Sequence, residues 1–369
     1  MSWKVKYIDY PQQYQKIREP LLQVVDQLLS QGDVMLRQQL RDFEAHFAEF
    51  VGTEYAIGIS NCTDALYLCL VIAGIQPGDE VITVAHTFVA TAAAIHRAGG
   101  IPVFAEIGGD HLMDIESVKR LITPKTRAII PVHLNGRVCE MEPLLALAEQ
   151  HQLVVIEDAA QALGGSYKGV KAGAFGLAGC FSFYPAKLLG TYGDAGAIVT
   201  NSPEVAEKAM LLRNHGRQAD GDLSGWSFNH RMDNLHAAIL DYKLQFLPEW
   251  IERRRAIASI YHQHLCDIKE LVLPLPPTLE GDNFDVFQNY ELRATQRDAL
   301  RQFLTEQGIE TLLPWGGKAI HQFSQLGFEV SLPETEAILS QALMLPMHCE
   351  LEDDQVVYTS TCIRQFYGL

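Results

Sequence analysis

The sequence predicts an α/β fold: a mostly parallel central sheet flanked by helices, followed by a smaller C-terminal α+β domain. Three observations carry that prediction. Strand-like and helix-like segments alternate from residue 55 to residue 160, with strands recurring about every thirty residues or less. Those strands are apolar throughout rather than alternating, the mark of a parallel sheet covered on both faces. Near residue 245 the pattern changes to a long charged helix, which divides the chain into a large domain, 1–245, and a small one, 246–369, with the first residues free to pack on the small one.

Helical periodicity comes first, in Leu21–Leu29 and Leu36–Phe50, the latter stopped by Gly52. YAIGIS (55–60) reads as a strand and NCTDALYLCLVIAG (61–74) as a helix with a polar start. After the turn PGDE come strand 81–85, helix 87–99, strand 101–107, helix 114–122, strand 127–134, helix 141–151 and strand 153–160. The stretch FSFYPAKLLGTYGDAGAIV (181–199) places one lysine between two buried strand patterns. Beyond residue 245 the expected order is helix, strand 286–294, helix 297–307, strand 309–314 and two last helices.

Composition narrows the function. The chain has 369 residues, 48% of them hydrophobic, and a net charge of −16. A nucleic-acid binder needs a basic stripe to displace counterions, and none is present. The longest apolar stretch, Val81 to Ala105, is broken by His86, His96, Arg97 and Pro102, so no membrane span is expected. MSWKVKYIDYPQQ lacks the apolar core of a secretion signal. Seven dispersed cysteines without a C-x-x-C pair suit a reducing, cytoplasmic setting, and no metal site is expected.

In a parallel sheet, ligands gather at the carboxyl ends of strands. Three such ends are chemically suggestive. Asn61-Cys62-Thr63 opens a helix, where backbone N–H groups and the Thr63 hydroxyl make a phosphate cradle; read alone, the simpler reading is an ordinary N-cap. Glu157-Asp158 ends an apolar strand, and a buried carboxylate needs a partner, such as a protonated pyridine nitrogen. Lys187 follows Ser182 by five residues; a partly desolvated lysine becomes a carbonyl nucleophile and base, although an edge lysine also snorkels to solvent. An acid about thirty residues before a lysine, with a phosphate cradle upstream, describes a pyridoxal 5′-phosphate site. Neither G-x-x-x-x-G-K-[ST] nor a G-x-G-x-x-G after the first strand competes with it.

PGDEVI (77–82), TFVAT (87–91), EDAAQALG (157–164), FSFYPAK (181–187), GDAGAIV (193–199), RNHGR (213–217) and NHRMDNLHAAIL (229–240) resemble the DegT/DnrJ/EryC1/StrS sugar aminotransferases over nearly the whole chain. The resemblance implies the aspartate-aminotransferase-like type I fold. It also implies transfer of an amino group, usually from glutamate, to a nucleotide-linked keto sugar, with pyridoxamine phosphate as the aminated cofactor. It makes Lys187 the Schiff-base lysine, Asp158 the pyridinium partner, Gln161 a neighbour of the ring hydroxyl and Phe88 the aromatic on the ring. Cys62 (by its backbone), Thr63 and Ser182 would hold the phosphate, joined by Asn229 from the other subunit of a homodimer. Arg231 is a candidate for the donor's carboxylate. Tyr184, three residues before the lysine, and Asp194 lean toward a 3-keto sugar; 4-keto amination, a dehydratase and an aminosugar-binding regulator are the alternatives. Two departures stand out: Cys62 replaces a usual glycine, and Pro314-Trp315-Gly316-Gly317-Lys318 replaces a histidine-tyrosine-proline motif, which puts Trp315 at the sugar site.

Overall fold

The computed structural model describes residues 3–218, 220–278 and 280–369. It opens on helices α1 (Tyr10–Gln31) and α2 (Gln38–Val51). The next elements are β1 (Tyr55–Ile59), α3 (Cys62–Ile72), β2 (Glu80–Val84), α4 (Ala90–Arg97), β3 (Ile101–Ala105), α5 (Ile115–Leu121), β4 (Thr126–Ile129) and α6 (Met141–His151). Then come β5 (Val154–Asp158), β6 (Ser166–Tyr167), β7 (Val170–Lys171), β8 (Ala178–Ser182), β9 (Gly196–Thr200), α7 (Pro203–Leu212) and α8 (Asn234–Leu244). The last part holds α9 (Leu247–Leu265), β10 (Leu271–Val272), β11 (Asn283–Phe284), β12 (Tyr290–Ala294), α10 (Arg297–Glu306), α11 (Pro333–Gln341), β13 (Ala342–Leu345) and α12 (Asp353–Phe366). Helix α1 starts earlier than its apolar spacing suggests: Asp9 caps it by accepting from the Gln12 N–H, and a proline sits in its first turn.

Seven strands form the main sheet in the order β1-β9-β8-β5-β4-β2-β3. Pairings from β8 to β3 are parallel, while β9 runs antiparallel to both neighbours. Side chains alternate across a strand, which explains the FSF pattern. Phe181 and Phe183 both meet Phe47 of α2, with ring centroids 5.2 and 5.1 Å apart. Ser182 between them is left on the opposite side, toward α3. The adjacent acids Glu157 and Asp158 separate in the same way. Glu157 is fully buried and accepts backbone N–H groups from Gly173, Phe175 and Gly176, so it is a loop anchor.

The C-terminal part builds a three-stranded sheet, β10-β12-β13, against α9, α10 and α12, with Tyr261, Tyr290 and Ile363 in its core. Val5 joins that core through a bridge to Ile309. Two expectations fail here. Residues 309–314 form no continuous strand, only isolated bridges at Ile309 and Leu312, because the chain turns at Pro314 into a short 3-10 segment. The fully buried run ALML is a strand, β13, although four apolar residues flanked by helical pattern carry no period of their own.

Candidate active site

The carboxyl ends of β5 and β8, the entry to β9 and the N-terminus of α3 meet around a cavity of about 680 Å³. Asn61 caps α3 by accepting from the Asp64 N–H, and Cys62 and Thr63 follow at its open end. Gly196 makes this approach possible. A Cβ there would lie 2.5 Å from the Asn61 carbonyl carbon and 2.7 Å from the Cys62 nitrogen, so only glycine lets β9 press against the helix start. Thr63 and Ser182 line the cavity too. Helix N–H groups with two hydroxyls fit a phosphate.

Asp158 is buried and accepts from the Thr91 hydroxyl at 2.8 Å and from the Ala160 N–H at 3.3 Å. Burial pushes its carboxyl above the ordinary range, while Thr91, Ala160, Lys187 and His133 oppose that rise. Burial pulls Lys187 below the usual lysine value, and the charge of Asp158 resists it. Each group therefore holds its charge at a cost that a cationic ring nitrogen or a covalent partner would relieve. The Lys187 peptide is gripped on both sides by Gln288, whose Oε1 accepts from the Leu188 N–H at 2.8 Å and whose Nε2 donates to the Ala186 carbonyl at 2.9 Å. The phosphate cradle, a buried acid, a partly desolvated lysine and the half-exposed Phe88 ring fit pyridoxal 5′-phosphate.

Cys62, Thr63, Phe88, Asp158, Gln161, Ser182, Tyr184, Lys187 and Trp315 all line this one cavity. Asn229 and Arg231 do not: Asn229 bridges Asn214, and Arg231 donates to Asn214 Oδ1 at 2.7 Å. Sequence reasoning missed Tyr7, Gln288 and Asn289, which also face the cavity from distant parts of the chain. It also missed the buried group His86, His111 and Glu291, whose donor atoms lie within 4.8 Å of one another. Trp315 Nε1 donates to His86 Nδ1 at 3.0 Å, and His86 Nε2 faces Glu291 Oε1 at 2.9 Å. Indole is a donor only, so Nδ1 carries the lone pair and Nε2 the proton. A metal on Nε2 would need the opposite tautomer, so this group is a hydrogen-bond relay.

Likeness to solved aminotransferases shows the class to which this sheet, with its buried acid and lysine, belongs: this is a fold type I aminotransferase. S. venezuelae DesV in complex with a ketimine intermediate matches it with a TM-score of 0.94 at 36% identity, over 99% of this chain and 98% of that one. NtdA from Bacillus subtilis with bound cofactor PMP matches with a TM-score of 0.87 at 28% identity, over 97% and 83%. A model of the DegT/DnrJ/EryC1/StrS aminotransferase family matches residues 15–364, and the chain belongs to that family. Its cofactor is pyridoxal 5′-phosphate. A pleiotropic regulatory protein of Geobacillus stearothermophilus is 40% identical over 98% of each chain. A dTDP-3-amino-3,4,6-trideoxy-alpha-D-glucose transaminase of Streptomyces venezuelae is 36% identical over 98% of this chain and 96% of its own. Among the described residues, no helix is long and apolar enough to cross a membrane.

Proposed function

We propose that this sugar aminotransferase moves an amino group from glutamate to C3 of a nucleotide-linked keto sugar, in the cytoplasm, as a homodimer. The observation that carries the reading is the convergence of Lys187, Asp158, Ser182 and Thr63 on one cavity. The 3-amino sugar in the name of the S. venezuelae relative supports C3, as does Tyr184 on the cavity wall. In the homodimer Asn229 of one protomer reaches the phosphate of its partner. Support for that face comes from the loop before Asn229, where Leu223, Trp226 and Phe228 are exposed, Trp226 fully so. The division into a large domain, 1–245, and a small domain, 246–369, belongs to the same proposal, with Val5 packing on the small one.

Pyridoxal phosphate, when bound, supplies an electron sink for the carbon losing its proton. The chain's residues do the rest. Helix α3 and the hydroxyls of Thr63 and Ser182 hold the phosphate. Asp158 keeps a proton on the ring nitrogen, because a buried carboxylate stabilises a neighbouring cation. Lys187, its pKa lowered by burial, would be the group that moves the proton away from the donor's Cα and later delivers one to the sugar carbon. Phe88 would cover the ring and keep water from it, and Trp315, whose ring centroid lies 5.8 Å from that of Phe88, would wall the sugar side.

A second reading is favoured by one observation, the regulatory name of the Geobacillus relative. On that reading the cavity binds an aminosugar without turnover. One experiment separates the two. Purified protein is incubated with glutamate and, in turn, dTDP-, UDP- and GDP-linked 3-keto and 4-keto sugars. Formation of 2-oxoglutarate with a 3-amino sugar is expected. Amination of 4-keto sugars alone would move the site to C4, and binding with no 2-oxoglutarate would favour the regulator.

A further inference from the structure

The side-chain oxygen of Gln161 accepts two hydrogen bonds, from the Asn135 N–H at 2.9 Å and from Asn289 Nδ2 at 3.0 Å. Its lone pairs are filled, so the amide is fixed with Nε2 turned away, and those N–H groups have no partner among the described residues. Gln161 lines the cavity, so its two uncommitted donors are available to a group bound there.

An amide is nearly symmetric in shape, and this direction is chosen from two ends: the Asn135 N–H, which can only donate, holds the Gln161 oxygen, and a carboxylate holds the far end. The choice can be followed outward. Asn289 Oδ1 accepts from the Tyr7 hydroxyl at 3.1 Å, and its Nδ2 also donates to Asn135 Oδ1 at 2.9 Å. Asn135 Nδ2 donates to Glu291 Oε2 at 2.8 Å. Glu291 is buried, and its other oxygen meets His86 Nε2 at 2.9 Å and His111 Nδ1 at 3.1 Å. Burial alone would raise its pKa, but the two histidines hold it well below the usual carboxylate range. An ionised carboxylate only accepts. Asn135 must therefore turn its NH₂ to Glu291 and its oxygen to Asn289. Asn289 then turns its NH₂ inward, and Gln161 its oxygen outward.

We propose that Glu291, acting with the Asn135 N–H, sets the polarity of a buried amide chain, Glu291–Asn135–Asn289–Gln161, which offers donors and no acceptor to the phenolic oxygen of the cofactor. This rests on the reading of Gln161 as the neighbour of that oxygen. Glu291, Asn135 and Asn289 touch no reacting atom; they are positioning residues. Reversal of the chain would set an amide oxygen against an anionic oxygen, with repulsion in place of a charge-assisted hydrogen bond. The order is cooperative, since each amide is oriented by the one before it.

The test uses the holoenzyme with pyridoxal phosphate and reads the pH at which the cofactor's visible band titrates. A donor on the phenolic oxygen competes with the proton that this band reports, so loss of the donor raises the midpoint. Gln161→Ala should raise it by about one pH unit, the scale of one hydrogen bond to a charged group. Glu291→Gln is the decisive variant, because removal of a negative charge would by itself lower the midpoint. The proposal predicts a rise all the same, smaller than that of Gln161→Ala, since glutamine no longer imposes a direction and leaves only the Asn135 N–H to hold Gln161. Asn289→Leu, which changes no charge and leaves the Glu291 cluster in place, should also raise it. An unchanged midpoint in Gln161→Ala would remove the reading of Gln161 and the proposal with it. A shift in Gln161→Ala with none, or a fall, in both Glu291→Gln and Asn289→Leu would overturn the polarity chain and leave Gln161 standing.

Discussion

Gly196→Ala tests how the phosphate end of the site is built. The added methyl would lie 2.5 Å from the Asn61 carbonyl carbon, 2.7 Å from the Cys62 nitrogen and 2.8 Å from the Phe181 carbonyl oxygen. All three are backbone atoms, so no side chain can swing aside. Carbon atoms rest about 3.5–4.0 Å apart, so the start of α3 must retreat from β9 by about 1 Å. Overpacking of this kind costs about 1–3 kcal/mol. The same retreat pulls the helix N–H groups off the phosphate, and a loss of about 1.4 kcal/mol there weakens cofactor binding tenfold. Titration of the apoprotein with pyridoxal phosphate, followed by its visible band, measures the affinity, and a melting curve measures the stability. Gly193→Ala is the comparison, because its Cβ would meet only a side chain, the His236 ring at 2.9 Å, and no backbone atom. Wild-type cofactor affinity and melting temperature in the Gly196→Ala protein would refute the reasoning.

Asp158→Asn should keep the cofactor bound while kcat falls by roughly 10²–10³, the scale of losing one placed electrostatic partner, as steady-state kinetics would show. Asp64 gives a pH prediction. Burial would raise its pKa, but His230, Ser60 and Arg97 outweigh that and hold it well below the ordinary value. Its contribution to stability is thus complete above the unfolded carboxylate pKa of about 4 and is lost as pH falls below it. The melting-temperature gap between wild type and Asp64→Asn should be wide at pH 7 and close in acid. For the shared site, heterodimers of Lys187→Ala and Asn229→Ala subunits should regain part of the activity that each homodimer lacks; demonstrated subunit exchange with no recovery would count against an interface site.

Some of this site was legible because chemistry restricts it. A lysine that must lose its charge, an acid that must stay buried and a phosphate that needs a helix start all sit at strand ends. Lys187, Asp158 and Thr63 therefore stand out by their joint spacing, although an N-cap threonine or an edge lysine is ordinary when read alone. Gln288 and Asn289 do not. Their amides act on Ala186, Leu188 and Gln161, about 100 or more residues away in sequence, and nothing local marks an amide as a clamp. Glu291 looks like a stray polar residue in an apolar strand until the fold brings His86, His111 and Asn135 to it. The strand β13 stayed hidden for a related reason: a fully buried four-residue run has no alternation to read.

The central claim is that the cofactor is carried on Lys187. Borohydride reduction of the holoenzyme, followed by proteolysis and mass spectrometry, tests it directly. The account predicts a pyridoxyl phosphate adduct on the Lys187 side chain, absent from Lys187→Ala protein. An adduct on a different lysine, or an undiminished visible band in Lys187→Ala protein, would contradict it.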